Sequence, residues 1–212
     1  MLYIISTPIG NLKDISYRAV EILESIDILL CEDTRKTGLL LNELEIGNKP
    51  KLVSFYDEVE QQKIPQIIDW LKEGLEIGLV TDAGTPLISD PGWLLIKKCQ
   101  NEGVKYTAIP GACALVNAAV LSGLPIQRFS FLGFLPKKSG DKEKLLKKYL
   151  EVEGVKIAYE AGNRTKESVE IIKKVFGEKT EVKICREMTK MFESVDDNTN
   201  GDSRGEVTLV FG

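Results

Sequence analysis

The residues best placed to do chemistry lie in four short turns, each rich in polar residues, glycine or proline. They are Ser6-Thr7-Pro8-Ile9-Gly10-Asn11, Glu32-Asp33-Thr34-Arg35, Asp82-Ala83-Gly84-Thr85-Pro86 and Pro110-Gly111-Ala112-Cys113-Ala114. In the second, a carboxylate of Glu32 or Asp33 can serve as a general base, and Arg35 can hold a phosphate. The same residues are equally explained as a helix start, with Asp33 or Thr34 capping and Arg35 exposed; spacing alone favours that reading. In the third, Gly84 admits positive φ or a close backbone approach and Pro86 stiffens the exit, so small residues leave main-chain groups to read an adenine edge. A tight strand-to-helix turn favours the same residue types. GxGxxG and GxxxxGK[ST] are both absent, which disfavours a Rossmann dinucleotide fold and a P-loop kinase.

The chain contains no histidine. That removes Ser-His and Cys-His nucleophile pairs and His-ligated zinc, so proton transfer falls to a carboxylate, Lys, Tyr or water. The cysteines Cys31, Cys99, Cys113 and Cys185 form no CxxC and read as packed free thiols. No metal cluster is expected.

The elements that must position these turns alternate. Residues 2–5, 27–31, 51–55, 75–81 and 104–109 read as strands. Residues 15–24, 35–44, 57–73, 91–102 and 112–122 read as helices, with Pro65 disturbing the third or marking its start. Alternation of this kind predicts a parallel sheet covered on both faces, with all four turns on one edge, where open α/β sheets bind ligands. In the second half, strands are expected at 129–135, 155–160, 182–186 and 207–211, a helix at 163–176, and a loop at 194–204.

The 212 residues, 43% hydrophobic and 28% charged, suit a soluble α/β protein of one large or two small domains. A boundary near Pro110-Gly111, giving domains 1–110 and 111–212, fits a charge shift: 11 basic against 17 acidic side chains before it, 17 against 15 after it. The densest basic segment holds Lys137, Lys138, Lys142, Lys144, Lys147 and Lys148, offset by Asp141 and Glu143. It is a candidate for RNA phosphate contacts or the solvated face of an amphipathic helix. Arg164, Arg186 and Lys190 are further candidates, with Arg186 equally a buried partner for Glu187 or Glu160. No membrane span is expected, and the opening Met1-Leu2-Tyr3-Ile4-Ile5 has no basic lead, so a cytoplasmic protein without a signal peptide is expected.

Several motifs in order resemble one family. Thr7-Pro8-Ile9-Gly10-Asn11-Leu12, Cys31-Glu32-Asp33-Thr34-Arg35, Asp82 through Gly92, Pro110 through Ala114, Gly133-Phe134-Leu135-Pro136 and Arg186-Glu187-Met188-Thr189-Lys190 resemble the tetrapyrrole methylase superfamily. The nearer resemblance is to its branch acting on small-subunit ribosomal RNA as a (cytidine-2′-O-)-methyltransferase. That resemblance implies two α/β domains, S-adenosyl-L-methionine in the cleft between them, and a homodimer. It implies cofactor binding by Asp82, Ala83, Gly84, Thr85, Pro86, Ile88, Pro110, Gly111, Ala112, Cys113 and Ala114. By looser alignment it adds Tyr159, Glu160, Cys185 and Thr208. Pro8 and Gly10 would shape the acceptor side, with Arg35, Lys137, Lys138, Arg164, Arg186 and Lys190 toward RNA. Glu32 and Asp33 are the candidate proton acceptors, with Asp82 a third unless the cofactor takes it. One departure stands out: Asn163 occupies the place of the family's usual histidine. A small-molecule methyltransferase and a non-catalytic cofactor-binding module are the alternatives.

Overall fold

The computed structural model describes residues 1–197 and 205–212. The chain divides into two compact units, Met1–Cys113 and Ala114–Gly212.

The first unit alternates strand and helix: β1 (Leu2–Ile5), α1 (Tyr17–Ser25), β2 (Ile28–Cys31), α2 (Thr34–Glu43), β3 (Lys51–Ser54), α3 (Asp57–Lys72), β4 (Ile77–Leu79), α4 (Trp93–Glu102) and β5 (Tyr106–Ile109). The strands pair in the order β3-β2-β4-β1-β5, every pair parallel. Strand alternation divides the core. Leu2, Ile4, Ile28 and Leu30 join residues of α3 and α4 on one face; Ile5, Leu29 and Cys31 join residues of α1 and α2 on the other. Helix starts are set locally. Ser16 accepts the Ala19 N–H at 3.2 Å and Asp33 accepts the Arg35 N–H at 2.9 Å. Pro65 neither breaks nor starts α3. It sits on the exposed face, and Gln61, whose carbonyl loses its helical partner there, is exposed too.

The second unit contains α5 (Ala114–Leu121), β6 (Phe129–Phe134), α6 (Ser139–Lys147), β7 (Val155–Ala161), α7 (Thr165–Phe176), β8 (Val182–Arg186), β9 (Ser194–Asp196) and β10 (Glu206–Phe211). Its sheet runs β6-β7-β10-β8-β9; β6 and β7 are parallel and the remaining pairs antiparallel. One face packs Ala158, Ile184, Leu209 and Phe211 against Leu146 of α6 and Val169 and Ile172 of α7. α5 lies against β7 and β10, and the Cys185 thiol reaches the Ala118 carbonyl at 3.8 Å.

One expectation is corrected. The polar stretch from residue 194 is not loop throughout, since Ser194–Asp196 forms β9 on the edge of the sheet. Backbone pairing at an edge strand does not require apolar side chains, which is why the composition hid it. Residues 198–204 of that stretch lie outside the described residues. Among the described residues no helix is long and apolar enough to cross a membrane, and no metal-binding cluster occurs.

Candidate functional site

Parallel strands bring the turns of the first unit to the carboxyl edge of its sheet, and direct contacts tie them together. Thr7 and Gly84 exchange backbone hydrogen bonds, Thr7 N–H to the Gly84 carbonyl at 2.8 Å and Gly84 N–H to the Thr7 carbonyl at 3.1 Å. Ser6 and Thr85 hydroxyls lie 3.0 Å apart, and Thr85 Oγ1 donates to the Ala112 carbonyl at 3.0 Å. Three separate turns thus form one rim.

Two glycines make this possible. Gly84 has φ +86°, and a Cβ there would meet Ile9 Cγ2 at 3.2 Å. At Gly111 a Cβ would fall 2.8 Å from Ser6 Cβ, so only glycine lets the two turns approach so closely. Further along the third turn, Leu87 and Ser89 hold left-handed φ values of 71° and 69°. Such strain in side-chain-bearing residues costs on the order of 1–3 kcal/mol each and gathers at functional sites.

The rim corrects one expectation. The N–H and carbonyl of Gly84 are consumed by Thr7, and the Asp82 N–H donates to Glu32 Oε2 at 3.1 Å. Main-chain groups of this turn therefore build the rim.

Below the rim lies a cleft of the first unit, lined by Thr7, Pro8, Gly10, Leu12, Thr81 and Asp82 on one side and by Lys36, Thr37, Leu40 and Glu43 of α2 on the other. Pro8 and Gly10 were expected on the acceptor side. Lys36, Thr37, Leu40 and Glu43 were not singled out from sequence. Their spacing of i, i+1, i+4 and i+7 marks one helix face, and the signal was available only once α2 was known to pack beside the first turn. Lys36 Nζ stands 2.5 Å from Asp82 Oδ2, and the hydrogen bond and charge of Asp82 raise the Lys36 pKa above its ordinary value.

Of the two expected proton acceptors, Asp33 does other work. Its carboxylate caps α2 and receives both Nε, at 3.0 Å, and a terminal nitrogen, at 2.8 Å, of Arg35. That side-chain pairing, with the backbone bond, holds its pKa well below the ordinary carboxylate range, leaving a very weak base. Arg35 stays exposed, its charge already committed to Asp33. Glu32 is partly buried and bound to the Asp82 N–H.

In the second unit, register separates the expected cofactor residues. Thr208 pairs with Tyr159 on one side and Cys185 on the other, so these three form a row across one face. Tyr159 packs edge-on against Phe131 at 4.9 Å and beside Phe134 at 5.2 Å, an arrangement made where β6 bulges between those phenylalanines. Burial pushes the Cys185 thiol up to about 11, so it is a packed thiol. Glu160 belongs to the other face, its side chain turned away from that row. It is fully buried; Oε2 accepts from Ser168 at 2.5 Å and pairs with Lys142 at 3.1 Å, while Oε1 accepts from the Ala161 N–H and Arg164 Nε, both at 2.8 Å. Desolvation opposes its ionisation, yet the Ser168, Ala161, Arg164 and Lys142 bonds together hold its pKa below the ordinary value.

This network also sorts the expected RNA contacts. Lys142 is fully buried and is a core cation, not a phosphate ligand. Arg186 is buried, 7% exposed. Arg164 is bound to Glu160, and Lys190 pairs with Glu187 at 3.2 Å. Lys144 and Lys147 pair with Asp141 and Glu143. Lys137, Lys138 and Lys148 are exposed, and among the described residues none of the three forms an ion pair. Asn163 is exposed at the turn entering α7.

The family model of tetrapyrrole (corrin/porphyrin) methylases matches residues 1–202. The chain is 46% identical over 195 residues to the ribosomal RNA small subunit methyltransferase I of Vibrio cholerae, covering 92% of this chain and 67% of that protein. It is 44% identical over 194 residues to the protein of the same name from Escherichia coli O157:H7, covering 92% and 67%. It is 39% identical over 218 residues to the one from Mycoplasmopsis pulmonis, covering 99% and 96%.

Proposed function

Because the chain belongs to the tetrapyrrole (corrin/porphyrin) methylase family, we propose that it transfers a methyl group from S-adenosyl-L-methionine to the 2′-hydroxyl of a cytidine in small-subunit ribosomal RNA. The observation that carries this reading is the likeness, at 39–46% identity over most of the chain, to proteins named for methylating that RNA.

The rim fits the cofactor. Ala83, Gly84, Thr85, Gly111 and Ala112 are small residues at a carboxyl strand edge, where an adenosyl group can approach the main chain closely. Ile88, Pro86, Pro110 and Cys113 extend the same turns. When bound, S-adenosyl-L-methionine supplies a methyl group made electrophilic by its sulfonium. The protein has to hold the ribose hydroxyl in line behind that methyl at roughly 3–3.5 Å and take up one proton. Pro8 and Gly10 shape the floor on which the acceptor rests. Lys137, Lys138 and Lys148 offer exposed cations for RNA phosphates. A homodimer acting in the cytoplasm completes the proposal.

The test uses purified small ribosomal subunits from a strain lacking this protein. They are incubated with the chain and methyl-labelled cofactor, and the RNA is digested to nucleosides. The expected product is labelled 2′-O-methylcytidine. Unlabelled RNA beside an active control enzyme would refute the proposal.

A further inference from the structure

Packing leaves one group at the cleft unexplained. Thr81 is 3% exposed and its Oγ1 is buried without a hydrogen-bond partner. Buried hydroxyls are almost always satisfied, so an orphan beside a cleft marks a missing partner. Thr81 lines the cleft next to Asp82 and across from Lys36. Its neighbour Thr7 turns its hydroxyl proton toward the carbonyls of Thr81 and Gly84, at 3.3 and 3.5 Å, and no hydrogen bond joins the two hydroxyls. Glu32 is occupied by the Asp82 N–H and Asp33 by Arg35. Lys36 holds Oδ2 of Asp82, which fixes that carboxylate and leaves Oδ1 to a ligand.

We propose that the acceptor ribose binds in this cleft, that Thr81 Oγ1 hydrogen-bonds one of its hydroxyls, and that Asp82 takes the proton from the hydroxyl being methylated, with Lys36 as positioning residue. The assignment rests on the reading of the chain as a ribose methyltransferase and identifies the group that reading left open. As the hydroxyl oxygen bonds to the methyl carbon, the C–S electron pair returns to sulfur and the O–H proton passes to Asp82. The products are a methyl ether, a neutral thioether and a carboxylic acid, which returns its proton to water through its partly exposed side chain. The oxygen gains positive charge as the bond forms, so its proton becomes strongly acidic and a carboxylate is basic enough to accept it.

The experiment measures single-turnover methylation of small subunits, affinity for S-adenosylhomocysteine by calorimetry, and thermal unfolding followed through Trp70 and Trp93, both in the first unit. Asp82→Asn is expected to slow methylation by about 100-fold or more, as loss of a general base does, with S-adenosylhomocysteine affinity within about threefold. Thr81→Val is expected to slow it by about tenfold while the unfolding midpoint holds or rises, because the lost hydroxyl had no protein partner. Lys36→Met is expected to lower the rate at saturating RNA with KM little changed, and Lys36→Arg to restore it. Several results would overturn the assignment: Asp82→Asn keeping more than about a third of the rate, losing cofactor-product affinity in proportion to rate, or Glu43→Gln producing the loss in its place. A lowered midpoint for Thr81→Val would also count against it. Wild-type protein that labels no RNA contradicts the functional reading; wild-type labelling with an unimpaired Asp82→Asn contradicts this assignment alone.

Discussion

Removing the charge of Glu160 should cripple the second unit far more than any surface substitution. Lys142 and Glu160 are both fully buried and 3.1 Å apart. Taking one charge from such a pair strands the other in low dielectric and costs about 3–5 kcal/mol. Glu160→Gln keeps the shape but leaves Lys142 with the Ser168 hydroxyl at 2.7 Å and a half-exposed Glu167 at 3.6 Å. It also weakens the Arg164 and Ala161 bonds. We therefore expect a loss of about 3–5 kcal/mol, toward the upper end because several bonds fail together. For a unit of this size that lowers the midpoint by on the order of 15–25 °C. Lys142→Met is expected to cost less, because Glu160 keeps three hydrogen bonds and a desolvated ammonium is removed. The double variant Lys142→Met/Glu160→Gln is expected to be more stable than the sum of the single losses by at least about 1 kcal/mol. Both tryptophans lie in the first unit, so the assay is hydrogen exchange of β7 amides followed by mass spectrometry. A loss below about 1 kcal/mol for Glu160→Gln, or additive single effects, would refute the reasoning.

Three other outcomes follow from the same structure. Glu160 has a lowered pKa, so its contribution is fully present above the unfolded value of about 4.3 and is lost as pH falls through the folded value. Exchange-measured stability should therefore be flat in this respect from pH 7 to 5, and the gap between wild type and Glu160→Gln should close only below about pH 4.3. Gly84→Ala forces a Cβ into left-handed backbone and against Ile9; it should cost about 1–2 kcal/mol and weaken cofactor binding, which calorimetry and thermal unfolding would report together. Replacing Lys137, Lys138 and Lys148 by Ala should make the log–log salt dependence of RNA binding shallower by about 0.7–0.9 per lysine that meets a phosphate; an unchanged slope would place the RNA elsewhere.

The first unit was legible because its signals are local. Apolar runs broken by Gly, Pro and Asp located β1, β2 and β4 and the turns that follow them, and a parallel sheet places such turns on one edge without further information. Sequence spacing could not show which polar atoms were already spent. Asp33 looked as available as Asp82 until Arg35 was seen clasping it, and Gly84 looked free to read a ligand until Thr7 was seen pairing with it. The second unit was harder. Most of its strands pair antiparallel across long stretches of sequence, so register could not show that, of Tyr159 and Glu160 on alternate faces of β7, one joins the Thr208 row and the other the core with Lys142. Six lysines in a short segment read as a uniform basic patch; tertiary packing buries Lys142 and neutralises two more. The orphan hydroxyl of Thr81 had no sequence signature, since a threonine at a strand end is ordinary.

The claim beneath all of this is that the joined turns of the first unit are where the methyl donor binds. Hydrogen exchange of the whole chain with and without S-adenosyl-L-methionine tests it most directly. The account predicts slowed exchange in peptides covering residues 81–89 and 109–114, with residues 139–147 unchanged. Protection confined to other segments, with the rim exchanging as freely as before, would contradict it.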